Sequence, residues 1–252
     1  MRIQAAQTPL HTSLNGLSRA ESRERARQDR PLARIAAMIG IAAEGAAMSL
    51  GTGAAGILVL AIGVHWLGLV MLAVALAIAA FFRDPNRTPP ARSGVVLSGA
   101  DGKVADVGQG APSGIEGNFR RVSVFMSPLD VHVNRAPVSG EVVSLQRIRG
   151  EFRAAFSDYA SEHNERNLIA LDDAAGARHA MVQVAGYLAR RIVCRLRNRD
   201  KIQAGQRIGL IMFGSRVDHF MPLQYRVVVR VGQRVRAGES VIGELTIGEP
   251  VQ

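Results

Sequence analysis

Residues 211–220, IMFGSRVDHF, set a Gly–Ser pair between an apolar run and the charges of Arg216 and Asp218, close to the end of the chain. A serine hydroxyl can attack the carbonyl of the residue before it and convert that amide into an ester. Glycine suits the preceding position best, because without a Cβ it tolerates backbone strain and close approach. An ester at Ser215 can then eliminate to dehydroalanine, which hydrolyses to a pyruvoyl group. Such a ketone is an electron sink for an amine substrate, as pyridoxal phosphate is. A Gly–Ser pair by itself is ordinary loop sequence, so Gly214 and Ser215 need partners elsewhere in the chain.

Three other stretches offer them. In SPLDVHVNRAP (127–137), Asp130 and His132 alternate, which on a strand puts both on one face. His132 is tuned to take a proton near neutral pH; the plainer reading is a structural histidine on a sheet. A zinc site would want a second ligand where Asn134 stands, so no metal is expected. SGADGKV (98–104) contains Asp101, either an Asp-Gly turn or a carboxylate that orients a histidine, as in a Ser-His-Asp relay. ARRIVCRLRNRDK (189–201) alternates Arg195, Arg197, Arg199 and Lys201. A strand there would gather four cations on one face, either solvated or lying against anionic headgroups.

These residues must be positioned by two kinds of element. From Gly45 to Phe82 there is no Asp, Glu, Lys or Arg, which suffices for one tilted membrane span or for a hairpin breaking near GVHWLG. Arg25, Arg27, Arg30 and Arg34 precede this run and Arg83, Arg87 and Arg92 follow it. Positive charge on both flanks favours a hairpin or re-entrant segment. The expected organisation is a polar arm over 1–31, disordered or surface-lying and without the apolar stretch of a cleavable signal. A membrane-embedded helical segment follows over 32–82, then a Pro-rich linker over 83–94, RDPNRTPPARSG. From 95 to 252, short β-branched runs broken by glycine predict strands, with one helix over 157–167. KIQAGQRIGLI (201–211) and RVRAGESVIGEL (234–245) repeat an Ala-Gly turn, and ADGKVADV pairs with VSGEVVSL in the same way. The fold class expected is mainly β: a duplicated hybrid-type β-sandwich or barrel with an N-terminal membrane-associated helical segment.

The net charge of +10 points to anionic partners. With three Tyr and one Trp, base stacking is poorly supplied, so the charge is assigned to a membrane carrying anionic lipid and not to nucleic acid. Cys194, the single cysteine, excludes an intrachain disulfide and a Cys-based metal site, and favours a cytosol-facing domain.

Together FFRDPNRTPP, SGADGKV, SPLDVHVNRAPVSGEV and ARRIVC…GQRIGLIMFGSRVDHFMP resemble the phosphatidylserine decarboxylase family in its short bacterial form, in order over residues 40 to 245. The resemblance implies self-cleavage between Gly214 and Ser215. The products are 1–214 and 215–252, held together as a heterodimer, with Ser215 converted to the pyruvoyl cofactor. It implies His132 as the catalytic histidine and Asp101 as the acidic member of a processing triad. The substrate is phosphatidylserine and the product phosphatidylethanolamine, made at the cell membrane by a domain facing the cytoplasm. Two departures bear on the processing base. Arg135 stands where longer relatives carry a second histidine, and Phe213-Gly214-Ser215-Arg216 replaces Leu-Gly-Ser-Thr. His132, His163 and His219 are all candidates for that base, and Arg216 or the 195–201 face for the lipid phosphate. The competing readings are an uncleaved, membrane-tethered β-sandwich binding or carrier module, and a hybrid-sandwich metallopeptidase. For the first, Asp101-Gly102-Lys103 is an imperfect lipoyl turn; the second lacks paired histidine ligands.

Overall fold

A computed structural model of the chain describes residues 40–151, 163–186, 191–212 and 215–246. The arm over 1–31 lies outside the described residues. The apolar run forms two helices, α1 (Ala43–Ala61) and α2 (His65–Phe81), folded back on each other through a turn at Gly63 (φ +91°). Small residues let the backbones approach, the usual packing device for helices with no polar face. A Cβ on Gly45 would run into the Phe82 ring, and one on Gly68 would lie 2.9 Å from the Gly56 carbonyl oxygen. Ser49 Oγ donates to the Ala75 carbonyl at 2.9 Å. At the open end, the Ala42 N–H reaches the Phe82 carbonyl at 2.7 Å, so both flanks of the hairpin emerge on the same side. By length and composition α1 is long and apolar enough to cross a membrane; α2 is shorter. Ile57, Leu58, Ile62, Trp66, Leu69 and Leu76 are all largely exposed on the hairpin's outer faces.

Residues 83–94 do not hang free between hairpin and sheets. The Asp84 carboxylate takes Arg135 and Arg207, Arg87 makes a two-pronged ion pair with Asp101, and Arg92 pairs with Glu244.

Fourteen strands follow among the described residues: β1 (Val95–Leu97), β2 (Gly102–Gly110), β3 (Phe119–Met126), β4 (Val133–Arg135), β5 (Gly140–Ile148), β6 (Arg166–Asp173), β7 (Arg178–Val184), β8 (Ile192–Cys194), β9 (Lys201–Ile202), β10 (Arg207–Ile211), β11 (Ser215–Pro222), β12 (Tyr225–Val227), β13 (Arg234–Val235) and β14 (Val241–Leu245). A curled eight-stranded sheet runs β13-β2-β3-β11-β7-β6-β5-β9, flanked by three-stranded sheets β1-β14-β12 and β4-β10-β8. The core between them is aliphatic, with Val122, Val124, Ile169, Leu171, Met181, Ile208, Val217 and Ile242 buried.

The pairings come in matched sets. β1 pairs with β14 as β4 does with β10, β2 with β13 and β3 as β5 does with β9 and β6, and β12 with β14 as β8 does with β10. The turns match as well. Ala237 N–H binds Asp101 Oδ1 at 2.8 Å where Ala204 N–H binds Ser139 Oγ at 2.9 Å, and the glycines that follow, Gly238 and Gly205, sit at φ +75° and +78°. The two sets meet at the β11–β7 pair in the middle of the large sheet.

Three local expectations differ from what is seen. Of the helix expected over 157–167, residues 166 and 167 belong to β6, and 157–162 lie outside the described residues. Asp130 sits in a turn and not on a strand with His132, because its carboxylate accepts the Ser127 N–H and hydroxyl and closes the chain around Pro128. Residues 195–201 form no continuous strand: β8 ends at Cys194, and Arg199, at φ +69°, turns the chain where its counterpart is Gly232. The four cations therefore share no face, and Arg195 reaches back to Glu44 of α1 at 2.7 Å.

Candidate active site

Ser215 opens β11, a buried strand held on both edges by β3 and β7, and stands opposite Met126, the last residue of β3. Its side chain is fully buried and its Oγ lies 3.4 Å from Met126 Sδ. A thioether is a weak acceptor, so this contact leaves the hydroxyl easy to redirect. Gly214, the other half of the candidate bond, lies outside the described residues.

Beneath Ser215 runs a chain of buried amides that sequence reasoning did not single out. Asn134 Nδ2 lies 3.7 Å from Met126 Sδ, Gln183 Nε2 donates to Asn134 Oδ1 at 2.8 Å, and Asn167 Nδ2 donates to Gln183 Oε1 at 2.9 Å. Each amide pairs donor to acceptor, which is what keeps buried polar groups inexpensive and fixes their orientation. The signal available in the sequence was a glutamine inside the apolar run HAMVQV.

His132 immediately precedes β4, and its carbonyl accepts the Ile211 N–H at 3.3 Å. It is thereby brought to the corner where β3 and β10 end and β11 begins. The ring is buried and lies against Phe81 of α2, centroids 4.4 Å apart. Nδ1 is 2.9 Å from the Asp130 carbonyl oxygen, which can only accept, so Nδ1 carries the proton and Nε2 presents the lone pair. Among the described residues Nε2 has no hydrogen-bond partner. Burial pushes the pKa of His132 down from 6.5, opposed by the Asp130 carbonyl and by the charges of Asp130 and Asp101. The imidazole is thus neutral at neutral pH and able to act as a base.

Asp101 does not touch that ring. Both its oxygens are taken by Arg87, at 2.6 and 2.7 Å, and one also accepts the Ala237 N–H. Its influence on His132 is through charge. His219 is fully buried with both ring nitrogens occupied: Nε2 accepts the Gly99 N–H at 2.7 Å and Nδ1 lies 3.2 Å from the Val122 carbonyl. Burial lowers its pKa to about 4. His163 is exposed beside the start of β6. Of the three histidines, only His132 combines burial, the corner position and an unused lone pair.

Arg216 is buried, with Nε on Asp218 at 2.6 Å and a second nitrogen on Ser123 Oγ at 2.8 Å, a placement that keeps it away from a headgroup. Arg135, in the place of the second histidine, anchors the 83–94 segment through Asp84 and the Pro85 carbonyl and also holds the Gly205 carbonyl. Among the described residues no group of three or more His, Cys, Asp or Glu could hold a metal ion.

A small, uncharged ketone is compatible with the Ser215 position, which is buried against a thioether.

The model of a family described as phosphatidylserine decarboxylase matches residues 74–243. A phosphatidylserine decarboxylase proenzyme of Mycobacterium leprae is 46% identical over 198 residues, covering 77% of this chain and 82% of the relative. The proenzyme of Mycolicibacterium smegmatis is 45% identical over 185 residues, 72% and 80% of the two chains. That of Symbiobacterium thermophilum is 46% identical over 189 residues, 74% and 88%. The buried serine that opens β11, the imidazole at its corner and these relationships lead to one conclusion: the chain belongs to the phosphatidylserine decarboxylase family.

Proposed function

We propose that this chain is the precursor of a self-processing enzyme that converts phosphatidylserine to phosphatidylethanolamine, and that Ser215 becomes its pyruvoyl cofactor. The observation that carries the reading is the buried Ser215 at a strand start, with His132, whose Nε2 has no partner among the described residues, held to the end of β10 just before it. In processing, His132 Nε2 takes the Ser215 hydroxyl proton as Oγ attacks the Gly214 carbonyl carbon, and the acyl group moves from nitrogen to oxygen. Removal of the Ser215 Cα proton then expels the Gly214 carboxylate, which keeps the former Oγ. Water displaces the nitrogen as ammonia. A ketone on residue 215 would supply the electron sink for the substrate amine and so allow carbon dioxide to leave. His132, protonated on Nε2, is the group assigned to return a proton to the α-carbon. Asp101 supports the charged form of His132 electrostatically and secures the strap that carries Arg87.

Residues 1–214 and 215–252 remain together after cleavage, because β11 is paired on both edges and β14 with β1. The matched strand pairings support a duplicated hybrid-type sandwich for 95–252. The apolar hairpin is read as an anchor in a membrane carrying anionic lipid, with the catalytic domain on the cytoplasmic side and the 1–31 arm beside it. Acyl chains then stay in the bilayer, and the headgroup alone must reach His132, which touches the foot of α2.

A denaturing gel with intact mass tests the proposal. Membrane-derived protein should give fragments 1–214 and 215–252, while Ser215→Ala should stay whole at 27.0 kDa and without decarboxylase activity. Decarboxylation by a whole, uncleaved chain would overturn it and favour a different chemistry on the same fold.

A further inference from the structure

Leu129 is the most exposed large apolar side chain among the described residues, at 84%; those nearest it in exposure (Leu76, Trp66 and Ile62) are all on the hairpin. Its turn is rigid. The Asp130 carboxylate accepts the Ser127 N–H at 2.9 Å and the Ser127 hydroxyl at 2.7 Å, and the Asp130 N–H returns to the Ser127 carbonyl at 2.9 Å. Arg83, two residues beyond α2, bolts the turn to the hairpin by binding the Leu129 carbonyl together with that of Ala80. Three residues later His132 stacks on Phe81. Leaving this leucine bare forgoes the burial free energy of a whole side chain, which an apolar layer against the turn would restore. The cations around it, Arg83 and the largely exposed Arg234 that pairs with Asp130, suit an anionic headgroup layer.

We infer that the 127–130 turn is a second membrane contact, with Leu129 inserted at the edge of the acyl layer of an anionic bilayer and Arg83 and Arg234 at headgroup level. The inference rests on the reading of the hairpin as a membrane anchor. Because hairpin, turn and His132 form one body, insertion of Leu129 fixes the height of the imidazole above the acyl chains. The surface is continuous with the hairpin's apolar faces through the Arg83 bridge, which is why a bilayer and not a protein partner is its occupant.

Tryptophan fluorescence on vesicles of phosphatidylcholine and phosphatidylglycerol, with and without acyl-brominated lipid, separates the outcomes. Trp66 is the only tryptophan, so the parent chain reports the hairpin, and Trp66→Phe combined with Leu129→Trp reports the turn. The expected result is a blue shift and a loss of emission on brominated vesicles for both proteins. Quenching of Trp66 with an unshifted, unquenched signal from position 129 overturns the inference and leaves the membrane anchor standing. Absence of quenching in both overturns the two together. The exposed position accommodates the larger ring without repacking.

Discussion

His132 is prepared as a base by contacts that are individually ordinary in a sequence. The Asp130 carbonyl assigns the proton to Nδ1, Phe81 covers one face, and burial keeps the ring neutral. The pH dependence of processing follows. Because the folded pKa lies below 6.5, the lone pair persists through neutral pH and is lost only as the pH falls beneath the histidine's ordinary value. The cleavage rate should be level between about pH 7 and 8 and decline on the acid side, with His132→Gln slower by about 10²–10⁴-fold, the usual contribution of a positioned general base. Time courses of precursor disappearance measure both; a rate that climbs with acid would remove His132 from the role. Ser215, His132 and Asp101 stand out in the sequence by residue type. The amide chain of Asn134, Gln183 and Asn167 does not, because amides take part through partners that the chain order keeps far apart.

Among the elements, the hairpin is the most readable in sequence, since a run as long as Gly45 to Phe82 without a charge has few other destinations. The 83–94 segment is the least. Proline and glycine mark it as irregular, but its role as a strap depends on four arginine–carboxylate pairs whose members are separated in sequence. The Arg87–Asp101 pair is a buried tie, with side chains 7% and 12% exposed. Removing one partner of such a pair strands the other charge, at a cost of about 3–5 kcal/mol. Arg87→Ala and Asp101→Ala should each destabilise the chain by that amount, and the double variant by clearly less than their sum. Denaturant unfolding of the three variants reads the coupling; strict additivity would mean the strap is held elsewhere. The cationic run at 195–201 illustrates the opposite failure. Its period-two charges suggest a strand, yet Arg199 adopts a left-handed turn and the face dissolves.

For the whole molecule, the matched ladders give the proposed cleavage site an internal control. In the register of the large sheet, Arg178 opposite Asp172 corresponds to Arg216 opposite Phe125, so Ala177-Arg178 stands where Ser215-Arg216 stands in the other set. One corner is a tight turn, with Ala177 N–H on the Asp173 carboxylate; the other is opened by residues 127–214. By the same register Gly94 stands where His132 does. Ala177→Ser should therefore remain uncleaved between 176 and 177, since it gains the nucleophile but no base. Intact mass checks this, and a break at that bond would mean that corner geometry alone suffices.

Residue order was enough to reveal the mainly β character, the long apolar helical run and the Gly–Ser pair with its candidate histidine, because local periodicity and residue chemistry are properties of short stretches. Which histidine has a free lone pair, what Asp101 holds and where Leu129 is presented became visible only in the folded chain. Those depend on burial and on contacts between residues up to about a hundred and fifty positions apart, as between Arg87 and Ala237, and no local pattern encodes them.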